Sequence, residues 1–501
     1  MAEGQHPHII FIMTDQQRAD TIGAWGCGHM VTPALDRLVS EGTSFRQAYC
    51  PGATCISSRA ALFTGMYPHN TGVYSFNPWA DHHNWVQDLA AAGYWCANIG
   101  KMHFSPRDVP GGFHERTIVE NPTNKTHANG GADDDWGTFL RHHGLERPND
   151  RNRTDPDWTS RHQGVPWHLE ERFHSDVFIG DSAVAWIDGH RGEQPLFLQV
   201  GFTGPHEPWD PLPRHLNLYR DRDLPPRVRR AGELEDKPPQ HAAHRRLHGS
   251  TGHESVIDLD GASEADIAEM RRHYYAKITT VDEQIGRVLA ALERRGWLDD
   301  SILFCLSDHG ELLGDHDLAY KWLMYDSIVH VPLIVRDRRS GRAPQAGQVD
   351  DLVSLMDVGP TVLEAAGLPV PTYMEGRSLL GYLTDRAPTP REYVFCEDNY
   401  QVMMRSRQHK LVYYIGQEEG ELYDLERDPH ELENLWDRAD AAQTRARLLN
   451  QLLEWLATST YWNAGYRRDR SSTYGMRWPT PDDPYLHGAR SRGGPRPVET
   501  L

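Results

Sequence analysis

Residues 55 to 59 read Cys-Ile-Ser-Ser-Arg, and Ala60-Ala61-Leu62-Phe63-Thr64-Gly65 follow at once with the apolar spacing of a short helix. Cys55 therefore falls at a helix start, where unpaired backbone N–H groups and the positive end of the helix dipole favour a thiolate or a bound anion. Arg59, one turn on, is planar and permanently charged, and can hold the anion's other oxygens. Taken alone, the pentapeptide reads equally well as an ordinary buried cysteine beside a surface arginine.

Further residues able to do chemistry stand where apolar runs end. Asp15-Gln16 follow the run His8 to Thr14, Lys101 and His103 follow Tyr94 to Ile99, His206 follows Leu196 to Val200, and Asp308-His309 follow Ser301 to Leu306. On extended chain Lys101 and His103, two apart, point the same way and supply a fixed cation and a titratable imidazole. Asp15, Gln16, Asp308 and His309 offer carboxylates, an amide oxygen and one imidazole. Such a set suits a hard or borderline divalent ion, Ca²⁺ or Mn²⁺, better than zinc held by thiolates. Each has a plainer reading by itself: an acid after a strand is a helix cap, and a Lys–His pair is a solvated strand end.

What must position these residues is a sheet whose strand ends share one edge, because open α/β sheets gather ligands at the carboxyl ends of their strands. The continuous apolar run at 8–14 reads as a strand covered on both faces, and the mostly apolar stretches at 94–99, 196–200, 301–306 and 331–335 read as further strands, alternating with helical patterns near 33–38, 85–92, 176–188, 263–295 and 357 onward. Two polar stretches, about 104–171 and 210–260, read as insertions outside the core, on the pocket rim. After Pro388 short alternating runs at 393–396, 402–405, 410–414 and 421–425 predict an antiparallel sheet closed by a helix near 441–456. The expected fold is α/β: a large doubly wound mixed sheet flanked by helices over 1–387, a smaller α+β subdomain over 388–460, and an arm over 461–501 placed to wrap a neighbouring subunit of a homo-oligomer.

A formal charge of −19 on 501 residues argues against nucleic acid or an anionic membrane as partner. No run of 18 apolar residues occurs, and Met1 to His8 lacks the basic start of a secretory leader, so the expected compartment is the cytoplasm. Six widely spread cysteines read as thiols.

The chemistry-bearing strings resemble those of the sulfatases, members of the alkaline phosphatase superfamily. Their signature reads Cys-x-Pro-Ser/Ala-Arg with a Leu/Met-Thr-Gly ending; Cys55, Ser58, Arg59, Thr64 and Gly65 match, and Ser57 stands where the family has Pro. Gly100-Lys101-Met102-His103, Pro205-His206-Glu207-Pro208, Asp308-His309-Gly310 with Lys321, and Glu421-Leu422-Tyr423-Asp424-Leu425 are similar to further family strings, so the resemblance spans about 8–457. Gln16 and His309, where many members have Asp and Asn, and Gly112-Phe113-His114-Glu115-Arg116 are similar to the choline sulfatase and phosphonate monoester hydrolase branches. The resemblance implies an alkaline phosphatase-like fold and one divalent ion, Mn²⁺ or Ca²⁺, on Asp15, Gln16, Cys55, Asp308 and His309. It further implies oxidation of Cys55 to formylglycine by a sulfatase-modifying enzyme, whose aerobic form reads the Pro of the signature. The hydrate would attack the sulfur of a small-molecule or carbohydrate sulfate ester. Arg59, Lys101 and Lys321 would balance charge, His206 would protonate the leaving oxygen, and His103 would help the intermediate collapse. The alternative within the superfamily is a phosphonate monoester or phosphodiester hydrolase with Cys55 unmodified.

Overall fold

In the computed structural model, residues 6–75, 77–120, 133–148, 162, 164–250, 257–339, 347–384 and 388–463 are described. The expected arm lies outside them from residue 464 on.

Eight strands form the main sheet: β1 His8–Asp15, β2 Thr43–Tyr49, β3 Trp95–Gly100, β4 Glu115–Ile118, β5 Leu196–Pro205, β6 Ser301–Ser307, β7 Leu333–Asp337 and β8 Gly347–Ser354. Their order is β4-β3-β5-β1-β6-β7-β2-β8. From β4 to β6 neighbours run parallel; β7 runs antiparallel to both β6 and β2, and β8 lies parallel to β2, so the sheet is mixed.

The helices around it are α1 Pro33–Glu41, α2 Cys55–Thr64, α3 Trp85–Ala91, α4 Asp135–His142, α5 Ser175–Gly189, α6 Pro239–Ser250, α7 Glu264–Arg294 and α8 Val358–Ala365. The two faces of β1 explain its unbroken apolar run. Ile9, Phe11 and Met13 pack with α2, α3 and α8, whereas Ile10 and Ile12 pack with α1, α5 and α7. Phe11 meets Trp85, Phe197 and Phe304 with ring centroids 5.0–5.4 Å apart, and cutting such a residue to Ala costs about 3–5 kcal/mol. The capping box of Ser263 and Asp266 starts α7.

Four further strands, β9 Val394–Asp398, β10 Gln401–Arg405, β11 His409–Tyr414 and β12 Gly420–Asp424, make a separate antiparallel sheet in the order β12-β11-β10-β9. It is closed by α9, Ala442–Trp462, whose Leu448 and Leu452 share a core with Phe395, Met404, Leu411 and Leu422. This lobe is tied to the main domain beside the nucleophile. The Glu397 N–H donates to the Pro51 carbonyl at 2.9 Å, and Gly52 bridges Glu397 as a short parallel pair.

Two departures from the expected pattern are instructive. The stretch 104–171 is not all outside the core, because β4 adds to the sheet edge beside β3. Its Glu-Arg-Thr-Ile is half exposed, as an edge strand with one paired side can be, so it lacks the apolar signature of the central strands. At the opposite edge β8 has the pattern Gly-Gln-Val-Asp-Asp, exposed over most of its first half, and is likewise invisible to an apolar-run criterion.

Candidate active site

Strands β1 and β6 pair in parallel register to Thr14 and Ser307, so the next residue of each, Asp15 and Asp308, must emerge side by side. Beyond them the chain turns. Gln16 takes a left-handed φ of 67°, and the N–H groups of Gln16 and His309 both donate to Asp308 Oδ1, at 3.0 and 2.9 Å. Into this pair of carboxylates α2 inserts Arg59: Nη2 donates to Asp15 Oδ2 at 2.9 Å, Nε to Asp308 Oδ2 at 2.8 Å, and Nη1 to the Lys101 carbonyl at 3.0 Å. All ten residues of α2 are buried. The helix enters that deeply because Gly52 carries no side chain: a Cβ there would lie 2.2 Å from Ser57 Oγ.

Lys101 reaches the site by a similar necessity. Gly100 has φ 102°, and a Cβ on it would lie 2.0 Å from the Gly201 carbonyl, so β3 can end against β5 only at a glycine. Lys101 Nζ then sits 2.7 Å from Asp15 Oδ2, with neither side chain exposed. His103 is not on extended chain as expected; its φ of 63° folds it back, and its side chain lines the same opening as Cys55. From the end of β5, His206 accepts through Nε2 from the Lys321 ammonium at 3.0 Å, since an ammonium only donates. Its proton is then on Nδ1, facing the Glu207 carbonyl at 2.9 Å.

Cys55 lies where these groups meet. Its Sγ accepts from Lys321 Nζ at 3.3 Å, is 3.2 Å from His309 Nε2 and 3.8 Å from Asp15 Oδ1. Burial opposes ionisation of the thiol, but Lys101, Lys321 and His309 outweigh it and hold the thiol well below its usual range. Burial likewise opposes the Asp15 carboxylate, as does Cys55; Lys101 and Arg59 prevail and lower it. Asp308 moves the other way, raised by burial and by Asp15 despite Arg59. His309 is raised to about 9, because Asp308 and Cys55 overcome its burial.

Ligand atoms of Asp15, Cys55, Asp308 and His309 all lie within 4.8 Å of one another, and all four residues are buried. That spread matches one shell around a single ion whose bonds are about 2.0–2.6 Å long, and the donor types suit a borderline divalent metal. Gln16 stands beside the cluster with its amide oxygen on Lys321 Nζ at 2.7 Å and its amide nitrogen shared by Glu207 and Glu311. Neither glutamate was singled out from sequence, although both sit in strings that mark the site. Glu311 is raised to about 7 by burial and by Glu207. An opening over Cys55 is lined by Thr54, Ile56, Ser75, His103, Lys321 and Trp322.

A mixed sheet carrying a buried cluster of acids, a histidine and a cysteine at its strand ends, with a small antiparallel lobe beside it, defines an ester hydrolase of alkaline phosphatase-like fold. The family model described as Sulfatase matches residues 7–368, and the one described as N-sulphoglucosamine sulphohydrolase, C-terminal, matches 314–458. The chain belongs to the sulfatase family and is a hydrolase of sulfate or phosphate esters. It is 30% identical over 448 residues to an arylsulfatase of Clostridium perfringens, covering 86% of this chain and 90% of the relative. It is 28% identical to a choline-sulfatase of Rhizobium meliloti, covering 86% and 82%. The phosphonate monoester hydrolase structure of Agrobacterium radiobacter superposes with a TM-score of 0.75 at 26% identity, covering 90% of this chain and 96% of that one. Among the described residues no helix is long and apolar enough to cross a membrane.

Proposed function

We propose that the protein hydrolyses sulfate esters, with residue 55 as nucleophile in the form of a formylglycine hydrate. The observation that carries this reading is the convergence on Cys55 of Lys321, His309 and His103, with Asp15 and Asp308 alongside. Asp15, Gln16, Asp308, His309 and residue 55 would hold a divalent ion, Mn²⁺ or Ca²⁺, which when bound draws charge from an ester oxygen.

The chain's own groups supply the rest. Arg59 fixes the two carboxylates in register, and Lys101 sits against Asp15 where negative charge accumulates. One hydroxyl of the hydrate gives its proton to Asp308, whose carboxyl is raised and lies within 4.8 Å, and its oxygen attacks sulfur in line. The bond from sulfur to the leaving oxygen breaks, and that oxygen takes a proton from the His206–Lys321 pair, which shares one across 3.0 Å. His103 then removes the proton of the second hydroxyl. The carbon–oxygen bond to sulfate breaks, the aldehyde is restored, and water adds to it again. An unmodified thiol lacks that second hydroxyl and cannot take this exit.

The likeness to the phosphonate monoester hydrolase supports a second reading, displacement at phosphorus in a phosphonate monoester or phosphodiester. Aryl sulfate, aryl phosphonate and phosphodiester probes compared on one preparation by kcat/KM decide between them. Sulfate is expected to lead; a tenfold or larger preference for either phosphorus ester, about 1.4 kcal/mol, would select the second reading.

A further inference from the structure

We infer that Trp322 is the platform on which the leaving group of the substrate rests, and that the substrate class is therefore an ester of a ring, aryl or sugar, and not of an acyclic alcohol. The inference rests on the proposed attack at residue 55 and goes beyond it by naming what the ester carries.

The indole lines the opening over Cys55, next in sequence to Lys321, whose ammonium touches the nucleophile. In an in-line displacement the leaving group points away from the attacking atom, here outward through that opening. Its ring then meets the walls, where, among the described residues, Trp322 presents the extended aromatic surface.

Trp322 is also held more firmly than packing requires. Its φ of 73° is left-handed, a conformation that a bulky residue adopts only when its surroundings impose it, and such residues gather at ligand clamps. The restraints come from four parts of the chain. Its N–H donates to the Ala53 carbonyl at 3.2 Å, beside the nucleophile. Its carbonyl accepts from Gln401 Nε2 at 2.9 Å, from β10 of the C-terminal lobe. Its indole N–H donates to Ser75 Oγ at 3.1 Å, and that hydroxyl in turn donates to Asp398 Oδ1 at 3.1 Å, at the end of β9. The His248 imidazole from α6 stacks on the indole at 4.7 Å and 8°. Backbone and ring are thus fixed in position and tilt, with His248 against one face of the indole, and the residue is still only partly buried. Flat, fixed aromatic surface of this kind binds aryl rings by offset stacking and sugar rings through their C–H faces.

The test is binding, read without turnover. Phenyl sulfate and methyl sulfate are titrated calorimetrically into Cys55→Ala protein and into the Cys55→Ala/Trp322→Leu double variant, both loaded with Mn²⁺. The single variant is expected to bind phenyl sulfate at least tenfold tighter than methyl sulfate, and the double variant to lose that preference. Cys55→Ala/Trp322→Phe should keep most of it. Equal affinity of the two esters for the single variant, or an unchanged ratio after Trp322→Leu, overturns the platform. Should the Leu variant not fold by circular dichroism, Cys55→Ala/Ser75→Ala, which removes the indole's acceptor, must lower the ratio; an unchanged ratio there also overturns it. Failure of wild-type protein to turn over any sulfate ester would bear on the attack at residue 55, and the ring preference in binding reads out separately.

Discussion

Arg59 is the residue whose removal should do most damage for least change in volume. Its guanidinium binds Asp15 and Asp308 at 2.9 and 2.8 Å, and all three side chains are fully buried. An exposed ion pair is worth about 0–1 kcal/mol, but taking one partner from a buried pair costs about 3–5 kcal/mol, because the charge left behind keeps its desolvation penalty. Here Arg59 serves two carboxylates that also repel each other, and although Lys101 still faces Asp15, Asp308 loses its cation, so Arg59→Met should cost about 3–5 kcal/mol, a fifth or more of the stability of an ordinary domain. Arg59→Lys keeps the charge but can reach one carboxylate at a time and should fall between. The assay is guanidinium unfolding followed by fluorescence, once in chelator and once in saturating Mn²⁺. A divalent ion among the same carboxylates supplies positive charge that the variant lacks, so the loss should be larger in chelator. A loss under about 1 kcal/mol in chelator would refute the account of Arg59 as neutraliser. A loss equally large in Mn²⁺ would refute the placing of the ion beside Asp15 and Asp308.

Asp308→Ala should remove bound metal, measured by plasma mass spectrometry of dialysed protein, together with turnover; full activity in exhaustively chelated wild type would contradict this. The pH dependence of metal binding follows from His309, raised to about 9: below that pH its imidazole is protonated without metal, and the ion must displace the proton. Affinity should therefore rise about tenfold per pH unit from 6 to 8, and a flat calorimetric profile would refute it. His206→Gln should lower kcat/KM about 10²–10⁴-fold for esters with poor leaving groups and much less for nitrophenyl esters, and a uniform loss would remove His206 from the proton transfer. Peptide mass spectrometry across residues 47–59 should find formylglycine in protein made with a sulfatase-modifying enzyme and mainly Cys without one, and unimpaired turnover by Cys55→Ala would exclude both as nucleophile.

The centre of the fold was legible because it obeys one local rule. β1, β3, β5 and β6 are buried on both faces and so are written as largely apolar runs, broken only by Asn98 in β3 and by Gln199 and Thr203 in β5, and the ends of these strands fall at the sheet edge where Asp15, Lys101, His206 and Asp308 meet. The edges of the sheet escaped the same rule: β4 and β8 are half-exposed, and nothing in Glu115 to Ile118 or Gly347 to Asp351 distinguishes them from loop. Trp322 was missed for a different reason. Its importance comes from Ala53, Ser75, His248, Asp398 and Gln401, which are scattered over the whole chain and converge only in space. Its left-handed backbone has no sequence signal, because such a conformation is written in advance only by glycine or asparagine.

The bond between Glu397 and the loop before Cys55 also sets an order of events. The segment that carries the nucleophile gets its last backbone partners from a strand made 340 residues later, counting from Ser57, whose hydroxyl also faces the Glu397 carbonyl. At 5–20 residues per second a ribosome needs about 20–70 s to cover that distance. For that interval Cys55 is part of a nascent chain without its final cover, and afterwards it stands 4% exposed at the foot of a narrow opening, its backbone fixed in α2. Any enzyme that must rework this cysteine meets it most readily as an extended peptide during synthesis, and the closing of the C-terminal sheet is the moment at which the choice between thiol and aldehyde becomes permanent.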